Sequence, residues 1–439
     1  MDLYTRLRTR RVLHRAWAQV RSSGLSSDSE NTKHDTRQFE ANWLNNLENI
    51  ARQLKNDAFA FTGEKGVTPS KGKGKRGVRP LVVAPIANRI VRRAILDVLQ
   101  GDGETSDNPR HRWAGVPAVR EIMATRTSVG GIRQRGVPHG LALIDYAVRA
   151  DKHWFVRSDI RNFFTRIRKS DVIRFIRNAV NDDKFVNLFE QALATNLVNH
   201  EELEERHLFK LFPDPKIGVA QGSALSALAG NIALREFDTR MNDLDIVCVR
   251  YIDDFILLGP SEAKVHAAYK AARRMLKAMG MEVYDLNDAE ARKDDKVDDG
   301  NIHNGTNVLG YRISGTSLQP SARARKKFLE KLDKVVKDCK RAMNAAVDGT
   351  SCSHNARYHQ SMVQLHEIVW GWSQSFRHTT AKHVFEGIDK EIDKRINMLK
   401  REACRQMYNG DIKTRRRISG IHLLVDTAKC PLPEAYHNR

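Results

Sequence analysis

Residues 245–259, Asp-Ile-Val-Cys-Val-Arg-Tyr-Ile-Asp-Asp-Phe-Ile-Leu-Leu-Gly, set two adjacent acids between two β-rich apolar runs. Such runs favour extended backbone, and the break between them reads as a β-hairpin with Asp253 and Asp254 at its turn. A second run, Trp154-Phe-Val-Arg-Ser-Asp-Ile-Arg-Asn-Phe-Phe164, carries Asp159 at or just past the end of a strand. Like charges held close together raise one another's pKa and weaken a fold unless something positive neutralises them. Magnesium takes hard oxygen ligands, and two ions between carboxylates clamp the attacking and leaving oxygens of a phosphoryl transfer. Asp is common in turns, so the dipeptide alone reads better as a solvated turn. Its pairing with Asp159 favours the metal.

Between these segments lies Lys216-Ile-Gly-Val-Ala-Gln-Gly-Ser-Ala-Leu-Ser-Ala-Leu-Ala-Gly-Asn-Ile-Ala-Leu234. Gln221-Gly222 is expected to form a loop, Ser223 to cap a helix, and Ala224, Ala227, Ala229, Gly230 and Ala233 to give that helix a small-residue surface. A glycine at a helix entrance lets backbone approach a ligand; the same pattern also suits a tightly packed core helix.

The rest of the chain sorts by periodicity. Phe39, Trp43, Leu47, Ile50 and Leu54 predict a helix over 36–61. Glycines alternating with cations follow at 68–77, then a strand at 80–84, a helix over 89–100 and a loop at 101–112. From 150 to 315 short apolar strands alternate with helices, which predicts an α/β or α+β core, α+β being the class of the architecture implied below. After Pro320, the residues Phe328, Leu329, Leu332, Val335, Val336, Cys339 and Met343 mark a long amphipathic helix, and the chain stays helical and basic to about Tyr408. A boundary is expected near 316–322.

Composition narrows the partners. The formal charge of +21 points to a polyanion, and nucleic acid is the commonest one. No apolar run reaches the roughly 20 residues that span a bilayer. The opening MDLYTRLRTRRVLHRAW has no apolar stretch or small-residue cleavage site, so no secretory signal is expected. The five cysteines form no C-x-x-C pair, which suits a reducing cytoplasm.

Together the boxes resemble the reverse transcriptase family. Asp159 with Phe163-Phe164, Gln221-Gly222-Ser223 with Leu225-Ser226, and Tyr251-Ile-Asp-Asp254 are similar to its three palm motifs, in order. Val308-Leu-Gly-Tyr311 resembles its primer-gripping hairpin. Lys75-Arg-Gly-Val-Arg79-Pro-Leu, Asn88-Arg-Ile-Val91 and Ser128-Val-Gly-Gly-Ile132 resemble blocks of bacterial enzymes of the group II intron, retron and defence-associated branch. Gly371-Trp372, Phe376, Phe385 and Asp389 resemble that branch's thumb, or maturase X domain.

The resemblance implies a right-hand polymerase: N-terminal extension and fingers over 1–150, palm over 151–318, and an all-helical thumb with a short tail over 319–439. It implies that Asp159, Asp253 and Asp254, with the backbone of Ile160, hold two magnesium ions (manganese being the alternative). Lys75, Arg79, Arg161, Asn162, Phe163, Phe164, Gln221, Gly222 and Lys293 would then line the deoxynucleotide site. Phe164 would act as the gate against a 2′-hydroxyl, with Phe163 as its core neighbour. Lys293 would serve as the acid for pyrophosphate, although the usual Lys-Thr ending is absent. Leu309, Gly310 and Tyr311 would position the primer end, and Lys326, Lys327, Lys331 and Lys334 would follow a duplex backbone. Trp370 and Trp372 read as core.

Ile252 stands where this branch often has Ala, alanines replace prolines in the second box, and Arg92 stands where Gln is common. None removes a catalytic group. The expected activity is RNA-templated DNA synthesis on a dedicated structured RNA, with a DNA primer and a role in antiphage defence. The alternatives are an intron maturase and a template-independent or protein-primed DNA polymerase.

Overall fold

A computed structural model describes residues 2–70, 77–101, 113–347, 357–421 and 423–427. It divides into two units, Met1–Asn301 and Ile302–Arg439.

In the first unit two short strands, β1 (Lys65–Val67) and β2 (Leu81–Val83), pair antiparallel. The Trp154–Arg161 run becomes β3, the middle of a five-stranded antiparallel sheet. On one edge β3 meets β5 (Asp254–Gly259), which also pairs with β4 (Val247–Tyr251). On the other edge β7 (Val297–Asn301) covers Trp154 to Ser158, and β6 (Glu282–Val283) covers Ile160 and Arg161. Most of β3 is buried: Phe155, Val156 and Ile160 enter the core, and Arg157 and Ser158 are enclosed with them. Helices Arg235–Asn242 and Glu262–Ala278 pack on the sheet through Phe237, Tyr269, Ala272 and Leu276.

The N-terminal helices share this core. Arg10–Leu25 presents Leu13, Ala16, Trp17 and Val20 at helical spacing, and Ile86–Gln100 answers with Ile90, Val91, Ala94, Ile95 and Val98. Asp97, whose carboxylate has no solvent exposure, receives Arg15 at 3.2 Å, Arg93 at 2.9 Å and Arg133 at 3.3 Å. Arg92 pairs with buried Glu64 and donates to the carbonyls of Ala192 and Ala194. That explains why a cation can replace an amide there.

Several local expectations change. The helix expected over 36–61 is two, Glu30–Glu40 and Trp43–Lys55. Asparagines cause the break: Asn46 donates to the Phe39 carbonyl and Asn45 to the Asn42 side chain, competing with the helical ladder. The small-residue helix begins at Ser226, because the Ser223 hydroxyl accepts from Leu225 N one turn earlier and Ser226 Oγ donates to the Ala220 carbonyl.

The second unit starts before the expected 318/319 boundary and carries strands ahead of the helices that follow Pro320. Strands β8 (Thr306–Val308), β9 (Tyr311–Ser314) and β10 (Ser317–Pro320) form an antiparallel sheet. They belong with the helices because Tyr311 donates its hydroxyl to the Ser375 carbonyl and Thr380 N donates to the Leu318 carbonyl. Helices Ala322–Val347, Tyr358–Ser375, Lys382–Asn409 and Ile412–Ser419 follow. Trp372 stacks on Phe328 at 4.4 Å in their core. Trp370, expected in the core, is 60% exposed. Among the described residues no helix is long and apolar enough to cross a membrane.

Candidate active site

Strand register brings the three acids together. Asp159 lies directly opposite Asp254 across β3 and β5, and such pairs hold their Cβ atoms about 4.5–5.5 Å apart. Tyr251 also faces Asp254, so β4 and β5 are joined by the two-residue loop Ile252–Asp253. Ile160 N donates to the Asp253 carbonyl at 2.9 Å, tying the loop to the strand that carries Asp159. Ile252 takes φ +61°, the left-handed region that the first residue of a type II′ hairpin loop requires.

Burial sets the electrostatics. It raises the Asp253 carboxyl above its ordinary value, against the pull of Arg79 and Arg250. It pushes Asp254 up to about 7, with Arg157 opposing and the charges of Asp253 and Asp295 adding to the rise. Acids held this way lack positive charge. Part is supplied internally, since Lys296 Nζ pairs with the Asp159 carboxylate. The oxygen-only donor set of three carboxylates, with the Ile160 backbone beside them, fits hard divalent cations.

A pH dependence follows. Between about pH 4 and pH 7 the folded metal-free protein holds a proton on Asp254 that the unfolded chain has lost, so stability falls as pH rises through that window. Melting in EDTA is expected at a lower temperature near pH 7.5 than near pH 5, with magnesium recovering part of the loss at the higher pH. Asp254→Asn should flatten the EDTA trend; an unchanged slope would mean another group carries it.

The other expected site residues divide. Arg79 is exposed and within electrostatic reach of Asp253. Phe163 is buried, and a Cβ on Gly230 would come within 2.7 Å of its ring, so that glycine is required by packing. Phe164 is half-buried beside it, with ring centroids 5.3 Å apart. Gln221 accepts from Val82 N at 3.0 Å, and Gly222 takes φ +105° against the Val82 carbonyl, so this loop is stitched to β2. Asn162 is exposed in the left-handed region. Arg161 is engaged elsewhere, by Asp288 at 3.2 Å and the Tyr284 ring at 4.3 Å. Lys75 lies outside the described residues.

Lys293, the expected acid, is exposed at the end of helix Ala289–Lys293. Asp295 then turns the chain at φ +60°, and Asp159 N donates to the Lys296 carbonyl. Lys296 is therefore the cation at the acids. Without the usual Lys-Thr ending, spacing alone could not choose between two lysines three residues apart.

In the second unit, Leu309 and Gly310 both take positive φ in the β8–β9 loop. Tyr311 is buried with its hydroxyl used and its ring 4.9 Å from Phe376, so it anchors the hairpin and leaves the tip to make contacts. Lys326, Lys327, Lys331 and Lys334 are exposed, opposite the buried Phe328, Leu332, Val335 and Val336.

A separate group, Glu262, His266 and Asp299, has ligand atoms within 4.8 Å of one another. Arg292 already pairs with Asp299, so a cation is supplied there.

Residues 69–285 match the family described as reverse transcriptase (RNA-dependent DNA polymerase). A curated relative, Protein YkfC of Escherichia coli (strain K12), is 23% identical over 178 residues, 39% of this chain and 39% of its own. Among solved structures, a partial Cas6-RT-Cas1–Cas2 complex is 18% identical, covering 63% of this chain and 43% of that one, with a TM-score of 0.32. An apo telomerase from Candida tropicalis, truncated from its C-terminal domain, is 13% identical over 60% of this chain and 55% of that one, with a TM-score of 0.37. The chain thus spans less than two thirds of each of these relatives.

Proposed function

We propose, from the match of residues 69–285 to the reverse transcriptase family, that the chain synthesises DNA on an RNA template by two-metal nucleotidyl transfer. The observation that carries this reading is the register that sets Asp159 against Asp254 with Asp253 at the adjoining turn.

Two divalent cations on Asp159, Asp253, Asp254 and the Ile160 carbonyl would make the primer 3′-hydroxyl more acidic and neutralise charge on the transferred phosphate. The chain's own groups do the rest. Arg79 offers its planar fork to the triphosphate. The Gln221-Gly222 loop, held on β2, would line the pocket for the templating base. Lys296, released from Asp159, would carry a proton towards the departing pyrophosphate. Exposed cations such as Lys327, Lys331 and Lys334, one to two turns apart on one helix face, would follow a nucleic-acid backbone and make binding salt-dependent.

Primer extension with a defined RNA template, a DNA primer, deoxynucleotides and magnesium tests the reading; no extension by wild-type protein would refute it. The template is proposed to be a structured non-coding RNA and the setting antiphage defence, on the strength of the family branch the motifs resemble. Sequencing the nucleic acids that copurify with the protein would report template, product and start site together. Copurifying intron RNA would favour the maturase role.

Phe164→Ala is expected to reduce discrimination against ribonucleotides by about 10–200-fold, the range one steric contact supplies. Competing deoxy- and ribonucleotide incorporation measures it. Unchanged selectivity would move the gate elsewhere.

A further inference from the structure

Arg250 precedes the Tyr251–Asp254 hairpin and is fully buried. Its Nε donates to Asp238 Oδ1 at 2.7 Å, and Nη2 donates to Asp238 Oδ2 at 2.5 Å and Asn231 Oδ1 at 3.1 Å. Its Nη1 donates to the Ile252 carbonyl at 2.8 Å. Asn231 in turn donates to the Gly130 carbonyl at 3.1 Å and accepts from Ser128 Oγ at 3.1 Å. Residues 127–129 run beside Arg250: Arg250 N donates to the Thr127 carbonyl, and Val129 N to the Arg250 carbonyl. A Cβ on Gly130 would lie 2.6 Å from Ile252 N, so the Gly130 backbone closes directly on the turn.

This is an uneconomical way to fill a core. A buried ion pair contributes little net stability over apolar residues of the same volume, whereas a planar guanidinium fixes several partners at once. What it fixes here is unusual. A β-branched residue at φ +61° costs about 1–3 kcal/mol and persists only where its surroundings over-determine it. Rotating the Ile252–Asp253 peptide would turn the Ile252 carbonyl away from Arg250 and give up a charge-assisted hydrogen bond. The next carbonyl, that of Asp253, is already held by Ile160 N. Both carbonyls flanking the Asp253 Cα are therefore pinned.

We propose that Arg250 is a positioning residue: through the Ile252 carbonyl it latches the hairpin peptide and fixes the direction of the Asp253 carboxylate. Asp238 and Asn231 hold the guanidinium for that task. The proposal rests on the polymerase reading of the acids, and adds to it the group that aims them.

Arg250→Lys keeps a buried cation beside Asp238 but cannot span Asp238 and Ile252 together. In single-nucleotide incorporation its kcat is expected to fall about 30–100-fold, with the nucleotide KM and primer–template Kd within about threefold of wild type. Ile252→Gly removes the strain, so adding it should return the rate to within about fivefold of the Ile252→Gly single variant. Manganese binding, read by electron paramagnetic resonance, should weaken and recover in the same pattern without any turnover. Should Arg250→Lys fail to fold, Arg250→Met with Asp238→Leu removes both buried charges and is read in the same way. An unchanged kcat and manganese affinity in a folded variant would overturn the latch. So would a loss confined to KM, a loss that Ile252→Gly leaves in place, or failure of both variants to fold. Wild-type protein that binds manganese in this pattern yet extends no primer would overturn the polymerase reading alone.

Discussion

Replacing Asp253 and Asp254 together by alanine is expected to lower nucleotide incorporation by at least about 10³-fold, since metal-borne charge stabilisation is worth several kcal/mol and each 1.36 kcal/mol is tenfold. RNA affinity should stay within about twofold, because phosphate contacts from exposed cations dominate it. The fold should survive as well. Both carboxyls are raised by burial, so in metal-free protein their removal relieves desolvation instead of breaking a favourable pair. Primer extension, fluorescence anisotropy with labelled RNA, and melting in EDTA separate the three effects. Collapse of RNA binding would make the acids structural, and retained incorporation would end the metal reading.

Asp97→Asn should be the most damaging single change to the first unit, costing about 3–5 kcal/mol as expected when one partner of a buried ionic cluster is lost. The amide keeps the shape but removes the buried negative charge on which Arg15, Arg93 and Arg133 converge. These arginines come from the helix Arg10–Leu25, the helix Ile86–Gln100 and the segment after Gly131, so the loss loosens three pieces at once. A urea titration of the full chain should show the transition of the first unit at lower denaturant. An unshifted midpoint would mean the arginines find water or other acceptors without penalty.

Much of the central sheet was legible because its strands are dense in β-branched and aromatic residues and its acids interrupt them sharply. Asp159 and the Asp253–Asp254 hairpin could be placed on that basis, and so could the buried Phe163 beside the half-buried Phe164. What sequence could not supply was side-chain traffic between distant segments. Arg250 reads as a solvated charge beside a turn until Asp238 and Asn231 are seen to enclose it. Lys296, three residues beyond the expected Lys293, is brought to Asp159 by the left-handed turn at Asp295, which its local sequence does not announce. The break at Asn42 was hidden because the apolar stripe continues past it. The 301/302 division has no counterpart in the apolar pattern, which marks only the onset of the long helix, whereas hydrogen bonds to Ser375 and Thr380 join the preceding strands to the helices.

The interleaving of Arg10–Leu25 with Ile86–Gln100, and of β7 with β3, bears on how far the first unit can be trimmed. The recognisable segment stops at 285, short of a strand that covers five residues of β3, and starts at 69, after the helices that cover Ile90 and Ile95. A gene fragment cut to those limits would leave a bare sheet edge and an oily flank, both invitations to aggregation. Any shortened version of the protein should therefore keep residues 2–301 together as one indivisible cassette.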